Sequence, residues 1–250
     1  MHAKTSQLER VGGWHVIAAL LERQSSRVRA LYLSSGRDDA RAHSILRLAQ
    51  TAGIDVRRVD TKELDKLGAG LAHQGVLADI ETLRPWSEED LLEAVAAATE
   101  PPLLLALDGV QDPHNLGACL RSADACGALA VIVPRDRAAQ LNATVRKVAA
   151  GAAETTPVVA VVNLVRYLNL LKKANVWIVG ADAAAPKLAH EVDLTTGLVL
   201  VLGAEGAGLR HLTRLTCDLL VRLPQRGTVE SLNVSVAAGM LLYEALRQRS

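Results

Sequence analysis

The chain has no phenylalanine, and its aromatics amount to three tryptophans and three tyrosines in 250 residues. Its core must therefore come from Leu, Val, Ala and Ile, and half the residues are apolar, enough to bury a sizeable one. Cysteine is scarce: Cys119, Cys126 and Cys217 are odd in number and lack metal-ligand spacing. That argues against a disulfide scaffold, and no metal is expected. Cys119 and Cys126 fall seven apart on one helical face and are expected in the core of a reduced, cytoplasmic protein. There is no apolar run of signal-peptide type and none that would cross a bilayer, so no membrane partner is expected. Strong charge is absent too, the formal net charge being +1. Its distribution is less even: residues 1–80 carry +3, residues 81–100 carry −5 and residues 101–250 carry +3. Two mildly basic parts permit a phosphate-bearing partner without requiring one. Internal repeats and low-complexity segments are also missing.

What is present is alternation. Residues 1–10 are polar and expected to fray. The pattern predicts a helix over 14–23, a strand over 28–33 and a helix over 38–50 with Ile45, Leu46 and Ala49 on one face. A strand over 54–59, a short helix over 61–67 capped by Thr61 and a strand over 75–80 complete a small α/β unit, residues 1–80. It holds no phosphate loop and no nucleophile signature, so binding suits it better than catalysis. Residues 81–100 read as a linker: Arg84-Pro85-Trp86 breaks structure, and Ser87-Glu88-Glu89-Asp90 opens a capped acidic helix. Residues 101–250 form the second unit. Strands are predicted at 103–107, 129–133, 157–162, 176–180, 198–202 and 219–223, with helices between them and a loop over 181–193. Such alternation implies a mostly parallel sheet covered on both faces.

Three stretches carry polar residues where strands end. In Asp108 to Arg121, DGVQDPHNLGACLR, Asn115 suits a helix N-cap, and Leu116, Cys119, Leu120 and Ala123 face the core. Arg121 lies off that stripe beside Gly117, whose missing side chain is expected to leave open space. Arg121 paired with Asp124, and Asn115 as a cap only, would explain the stretch equally well. In Leu198 to Leu209, LVLVLGAEGAGL, an apolar strand ends at Gly203, and Gly206 and Gly208 follow. Those glycines tolerate positive φ and let backbone amides approach a ligand, though an ordinary tight turn would use them as well. The order is G-x-x-G-x-G with Glu205 inside, not the G-x-G-x-x-G of a dinucleotide site. In Leu223 to Leu246, Ser231, Asn233 and Ser235 cluster where a largely buried helix begins, and either Ser231 or Asn233 can cap it.

Together these stretches resemble the three motifs of the SpoU/TrmH family of RNA ribose 2′-O-methyltransferases, in order and spacing, over residues 101–250. The first matches at Asn115, Gly117 and Arg121, the second at Gly203, Glu205, Gly206 and Gly208, the third at Pro224, Ser231, Leu232, Asn233 and Ser235. Details in DPHNLGACLRSADA, RDRAAQLNATVRKVAAGAAE and SLNVSVAAG resemble the members that methylate a guanosine of 23S ribosomal RNA. GGWHVIAALLER and HQGVLA resemble their small RNA-binding domain.

The resemblance implies an α/β protein with a C-terminal parallel-sheet SPOUT domain, tied in a trefoil knot, and a small N-terminal α/β domain of ribosomal-protein type. General chain topology alone would argue against a knot. It implies S-adenosyl-L-methionine as cofactor, held by Gly203, Leu223 and Leu232 with Gly206, Gly208 and Asn233. It implies a homodimer through the C-terminal domain, 23S rRNA as substrate, and a catalytic set of Arg121, Asn115, Glu205, Ser231 and Asn233. Arginine stays protonated in proteins. Arg121 is therefore expected to hold the neighbouring phosphate and orient the ribose rather than act as a literal base. Arg135, Arg137, Arg146 and Lys147 are candidate RNA contacts. The alternatives are a transfer-RNA methyltransferase of the same family, a non-catalytic RNA-binding assembly protein, and a nicotinamide-dependent oxidoreductase, which the glycine order disfavours.

Overall fold

A computed structural model describes residues 8–81, 85–228 and 231–250. Residues 1–7 and Arg84, part of the expected frayed end and linker, lie outside the described residues. The chain divides into two compact units, Met1–Arg84 with Ala150–Thr155, and Pro85–Ala149 with Thr156–Ser250.

The first unit contains β1 (Leu8–Gly12), α1 (Trp14–Arg23), β2 (Val28–Ser34), α2 (Ala40–Thr51), β3 (Val56–Val59), α3 (Thr61–Gly68) and β4 (Val76–Glu81). The sheet order is β1-β4-β2-β3, with β2 parallel to β3 and antiparallel to β4. Ile17, Leu20, Leu31, Leu33, Ile45 and Ile80 pack one face of the sheet against α1 and α2. Residues 8–10 were expected to fray. Instead β1 pairs antiparallel with β4, because Arg10 grips Asp79 through Nε at 2.6 Å and Nη2 at 2.8 Å. Arg10 and Arg57 both lie over the Tyr32 ring, 5.4 and 5.9 Å from its centroid. The Tyr32 hydroxyl donates to Asp79 at 3.0 Å. Arg27 is buried, with its guanidinium on the Glu81 carbonyl at 3.1 Å and the Glu154 carboxylate at 3.3 Å. Asp60, not Thr61, caps α3, accepting from the Glu63 N–H at 2.7 Å, while the Thr61 hydroxyl meets that of Ser34 at 3.2 Å.

The second unit opens with α4 (Glu88–Ala97), whose Ser87–Asp90 capping box is reciprocal at 2.6 and 3.2 Å. Leu91 and Val95 of α4 enter this unit's core, so the acidic helix is packed rather than part of a free linker. Then come β5 (Leu103–Asp108), α5 (Pro113–Ala125), β6 (Ala130–Pro134), α6 (Ala143–Ala149), β7 (Val158–Val161), α7 (Leu164–Lys173), β8 (Trp177–Ala181), β9 (Lys187–Leu188), β10 (Leu198–Gly203), α8 (His211–Thr216), β11 (Leu219–Arg222) and α9 (Val234–Arg249). The seven strands run β7-β6-β5-β10-β8-β11-β9, and every pairing among them is parallel. β9 was not foreseen; it lies in the expected loop, where two residues pair with the end of β11. Central β5 and β10 are buried along almost their whole length, as strands covered on both faces must be. Their register sets Gly203 beside Asp108, so both central strands end side by side, where open α/β sheets bind ligands.

Candidate active site

Three segments meet there: the starts of α5 and α9 and the turn after β10. Asp112 caps α5 by accepting from the His114 N–H at 2.9 Å, with Pro113 in the first turn. Asn115 is therefore not the cap. It sits inside the first turn, and its freed carboxamide donates to Glu205 Oε1 at 3.3 Å. Asn233 caps α9 through Oδ1, which accepts from the Ser235 N–H at 2.9 Å and the Ser235 hydroxyl at 2.6 Å. Its Nδ2 donates to Asn115 Oδ1 at 3.0 Å and, in a short contact, to Glu205 Oε1. One residue from each of the three stretches thus joins a single hydrogen-bonded cluster, across 90 and 118 residues of sequence.

Glu205 reaches the cluster because the turn after β10 folds back sharply. Gly208 donates to the Ala204 carbonyl at 2.9 Å, and Gly206 and Gly208 adopt φ of 74° and 65°. The turn lies so close on β10 that a Cβ on Gly203 would stand 1.9 Å from the Gly208 carbonyl carbon. Only glycine fits there.

The exit of the turn is clamped as well. Asp108 is 1% exposed, and its Oδ2 accepts from the Arg210 N–H at 2.9 Å. Its Oδ1 makes no hydrogen bond among the described residues, and the Arg210 Nη1 stands 3.5 Å away. Gly109, at φ 82°, leaves room for that guanidinium, which would lie 2.9 Å from a Cβ. This clamp joins residues 102 apart, and no local pattern announces it.

A cavity of about 520 Å³ opens beside the turn. Gly203, Glu205, Gly206, Gly208, Leu223, Ser231 and Leu232 line it, so every expected cofactor residue is there except Asn233, which touches it through Glu205. Leu202, Val221, Val234 and Leu241 supply an apolar wall, and Asp182, Arg214 and Arg222 add charges that sequence reading missed. The volume lies in the usual range for small-molecule sites, roughly 300–1,000 Å³. Apolar walls, a backbone turn stripped of side chains and a few charges suit an adenosyl group with a charged tail, so the residues fit S-adenosyl-L-methionine.

Arg121 is placed differently. It lies on α5 about 9 Å of helix beyond Asn115, is exposed, and does not line the cavity. The open space expected beside Gly117 does not exist. A Cβ there would stand 2.7 Å from Val148 Cβ and 2.9 Å from the Val145 carbonyl, so Gly117 serves the close packing of α5 on α6. Nor does Arg121 pair with Asp124, whose Oδ1 accepts from the Thr156 hydroxyl at 3.1 Å. The Arg121 side chain makes no hydrogen bond or ion pair among the described residues.

The cysteines take no part. Burial pushes the Cys119 thiol up to about 12 and the Cys217 thiol up to about 11, so neither is a thiolate at neutral pH. No group of three or more His, Cys, Asp or Glu able to hold a metal occurs among the described residues. No helix among them is long and apolar enough to cross a membrane.

Comparison with known proteins agrees with this geometry. Residues 102–243 match the SpoU rRNA Methylase family, and residues 10–86 match the RNA 2′-O ribose methyltransferase substrate binding domain. The chain is 52% identical over 245 residues to the 23S rRNA (guanosine-2′-O-)-methyltransferase RlmB of Pseudomonas aeruginosa, covering 98% of each chain. It is 47% identical over 242 residues to the protein of that name in Escherichia coli K12, covering 97% of this chain and 99% of the other. Among solved structures, the SpoU methyltransferase AviRb of Streptomyces viridochromogenes, in complex with AdoMet, superposes with a TM-score of 0.73 at 26% identity. That match covers 97% of this chain and 90% of the other. The TrmH/SpoU tRNA modifying enzyme of A. aeolicus superposes with a TM-score of 0.55 at 31% identity, over 65% of this chain and 84% of its own. From its three converging motifs to these full-length likenesses, the chain belongs to the SpoU rRNA methylase family.

Proposed function

We propose that this protein transfers a methyl group from S-adenosyl-L-methionine to the ribose 2′-oxygen of a guanosine in 23S rRNA. The observation that carries this is the meeting of Asn115, Glu205 and Asn233 at a cavity whose glycine turn admits no side chain. A likeness to 23S rRNA methyltransferases that runs the whole chain supports the substrate. The tRNA-modifying relative matches only 65% of the chain, which favours ribosomal over transfer RNA.

The cofactor supplies an electrophilic methyl on a sulfonium. The chain holds and orients. Gly203, Leu223 and Leu232 offer backbone groups at two strand ends and a helix start, and Gly206 and Gly208 keep the turn open. Glu205, fixed by two carboxamides, sets a negative charge in a site meant for a cation. Ser231 and Asn233 hold the ribose or the cofactor. Arg121 binds the phosphate next to the target ribose and presents its hydroxyl, and the proton leaves through that phosphate or water. The first unit carries the RNA, with Arg135, Arg137, Arg146 and Lys147 adding phosphate contacts.

Two subunits pair through the second unit. An apolar stripe on α9, Val236, Met240 and Tyr243, is 50, 45 and 63% exposed, and Leu212 and Leu215 of α8 are exposed as well. A patch of this kind on a soluble protein marks an interface. The strand order, with β10 between β5 and β8 and β11 beyond β8, supports a trefoil knot. The protein works in the cytoplasm, where its RNA is.

Mapping ribose methylation of 23S rRNA from cells lacking the protein tests the reading. One guanosine should lose its 2′-methyl and regain it with the wild-type chain, and an unchanged map would refute it. Arg121→Lys should cut both methylation and RNA affinity; full activity with unchanged affinity would refute the phosphate role.

A further inference from the structure

Methyl transfer leaves the two cations of the cavity wall, Arg214 and Arg222, without a task. Arg214, on α8, gives its Nε–H to Asp182 Oδ2 at 2.5 Å, and both residues line the cavity. Asp182 has no oxygen without a partner, since its Oδ1 accepts from the Ala184 N–H at 2.8 Å. Its carboxyl lies below the usual range, chiefly through the Arg214 bond, so it is a carboxylate at neutral pH. Arg214 is the less satisfied member. A guanidinium has five N–H donors, and beyond its bond to Asp182, the Arg214 side chain makes no hydrogen bond or ion pair among the described residues. Its side chain is 47% exposed. Pinning Nε fixes the plane of the group and leaves the two terminal nitrogens as an open fork. That fork matches a carboxylate in a bidentate pair.

The cofactor of the reading above carries one anionic group, its α-carboxylate. Adenine and ribose are neutral and suit the wall of Leu202, Val221 and Leu241. Glu205 has the wrong sign and is held by two asparagines. Arg222, the other cation of the wall, gives its Nε–H to the Ala185 carbonyl at 2.9 Å, and no carboxylate among the described residues fixes its plane. We infer that Arg214, oriented by Asp182 as a positioning residue, binds the cofactor's α-carboxylate and makes the cavity select adenosyl ligands that carry an amino acid. The inference rests on the cofactor reading, and the test separates the two.

Calorimetry on the full-length protein compares S-adenosylhomocysteine with methylthioadenosine, a thioether of the same nucleoside that lacks the amino acid. Arg214→Ala weakens the first by about 10- to 100-fold, the worth of a charged hydrogen-bonded contact, and the second by less than about threefold. Arg214→Lys, with charge but no fork, falls between, and Asp182→Asn shifts the preference in the same direction by less. Equal weakening of both ligands by Arg214→Ala makes the residue a mere wall and overturns the inference, as does unchanged binding of the first. Should that variant not fold, wild type decides: decarboxylated S-adenosylmethionine must bind at least about tenfold more weakly than the intact cofactor, and equal affinity overturns the inference. A wild type that binds none of these ligands overturns the cofactor reading itself.

Discussion

The two units use the same kinds of charged side chain for opposite ends. In the first, arginine and aspartate turn inward. Arg10, Tyr32 and Asp79 lock an edge strand onto its neighbour, and Arg27 is buried against Glu154. In the second, the strands are almost purely aliphatic, and charge gathers where they end, on Asp108, Asp182, Glu205, Arg210 and Arg214. A paired charge inside a unit fixes its fold, whereas one at a strand end is available to a ligand. The contrast implies that damage to the first unit shows as lost stability, and damage at the strand ends as lost binding.

The largest effect should come from Gly203→Val. Its side chain collides with the Gly208 backbone, so calorimetry should detect no cofactor binding, a loss beyond about 100-fold, while the first unit unfolds as in wild type. Next is Arg27→Ala, which takes the guanidinium partner from the buried Glu154 carboxylate. Denaturant unfolding should show a loss of about 1–3 kcal/mol with cofactor affinity unchanged in the folded fraction. Loss of cofactor affinity there would erase the contrast.

Asn115 and Asn233 sharpen it from within one cluster. Asn233→Ala removes a helix cap as well as a cluster bond, so melting should record a loss of about 1 kcal/mol alongside lost methylation. Asn115→Ala gives up a contact that caps nothing, and should lose methylation at nearly wild-type melting temperature. The smallest effect is on acid stability. The Arg10 bond holds the Asp79 carboxyl below its ordinary value. The stability it contributes is therefore present above the unfolded value, about 3.9, and is lost as pH falls through the folded one. Melting temperature against pH from 6 to 3 should fall less steeply for Asp79→Asn than for wild type. An equal slope would remove Asp79 from the acid response.

Most strands and helices were legible because the aliphatic runs of the second unit and the amphipathic helices of both are local patterns. β1 was hidden because its Arg10 looks solvated in sequence, while its partners Asp79 and Tyr32 come from distant strands. Asn115 was misjudged as a cap because three caps or breakers crowd that turn, and Asp112 with Pro113 takes the role first. The glycine turn and the start of α9 were visible as residue types, but their meeting with Asn115 was not. The gap beside Gly117 was inferred from one helix, and α6 fills it. Asp108 with Arg210, and Asp182 with Arg214, leave no trace in any window of sequence, being 102 and 32 residues apart.

The Asp108 clamp also sets an order of events during synthesis. Its acceptor is made 102 residues before its donor, and at about 5–20 residues per second that delay is on the order of 5–20 s. For that interval the carboxylate emerging from the ribosome must stay in water, since burial without Arg210 would leave it unmatched. The first motif can be made early, but its loop is secured only once the glycine turn has been translated. A nascent chain stalled before Arg210 should leave that loop open to protease, and one stalled well beyond it should not.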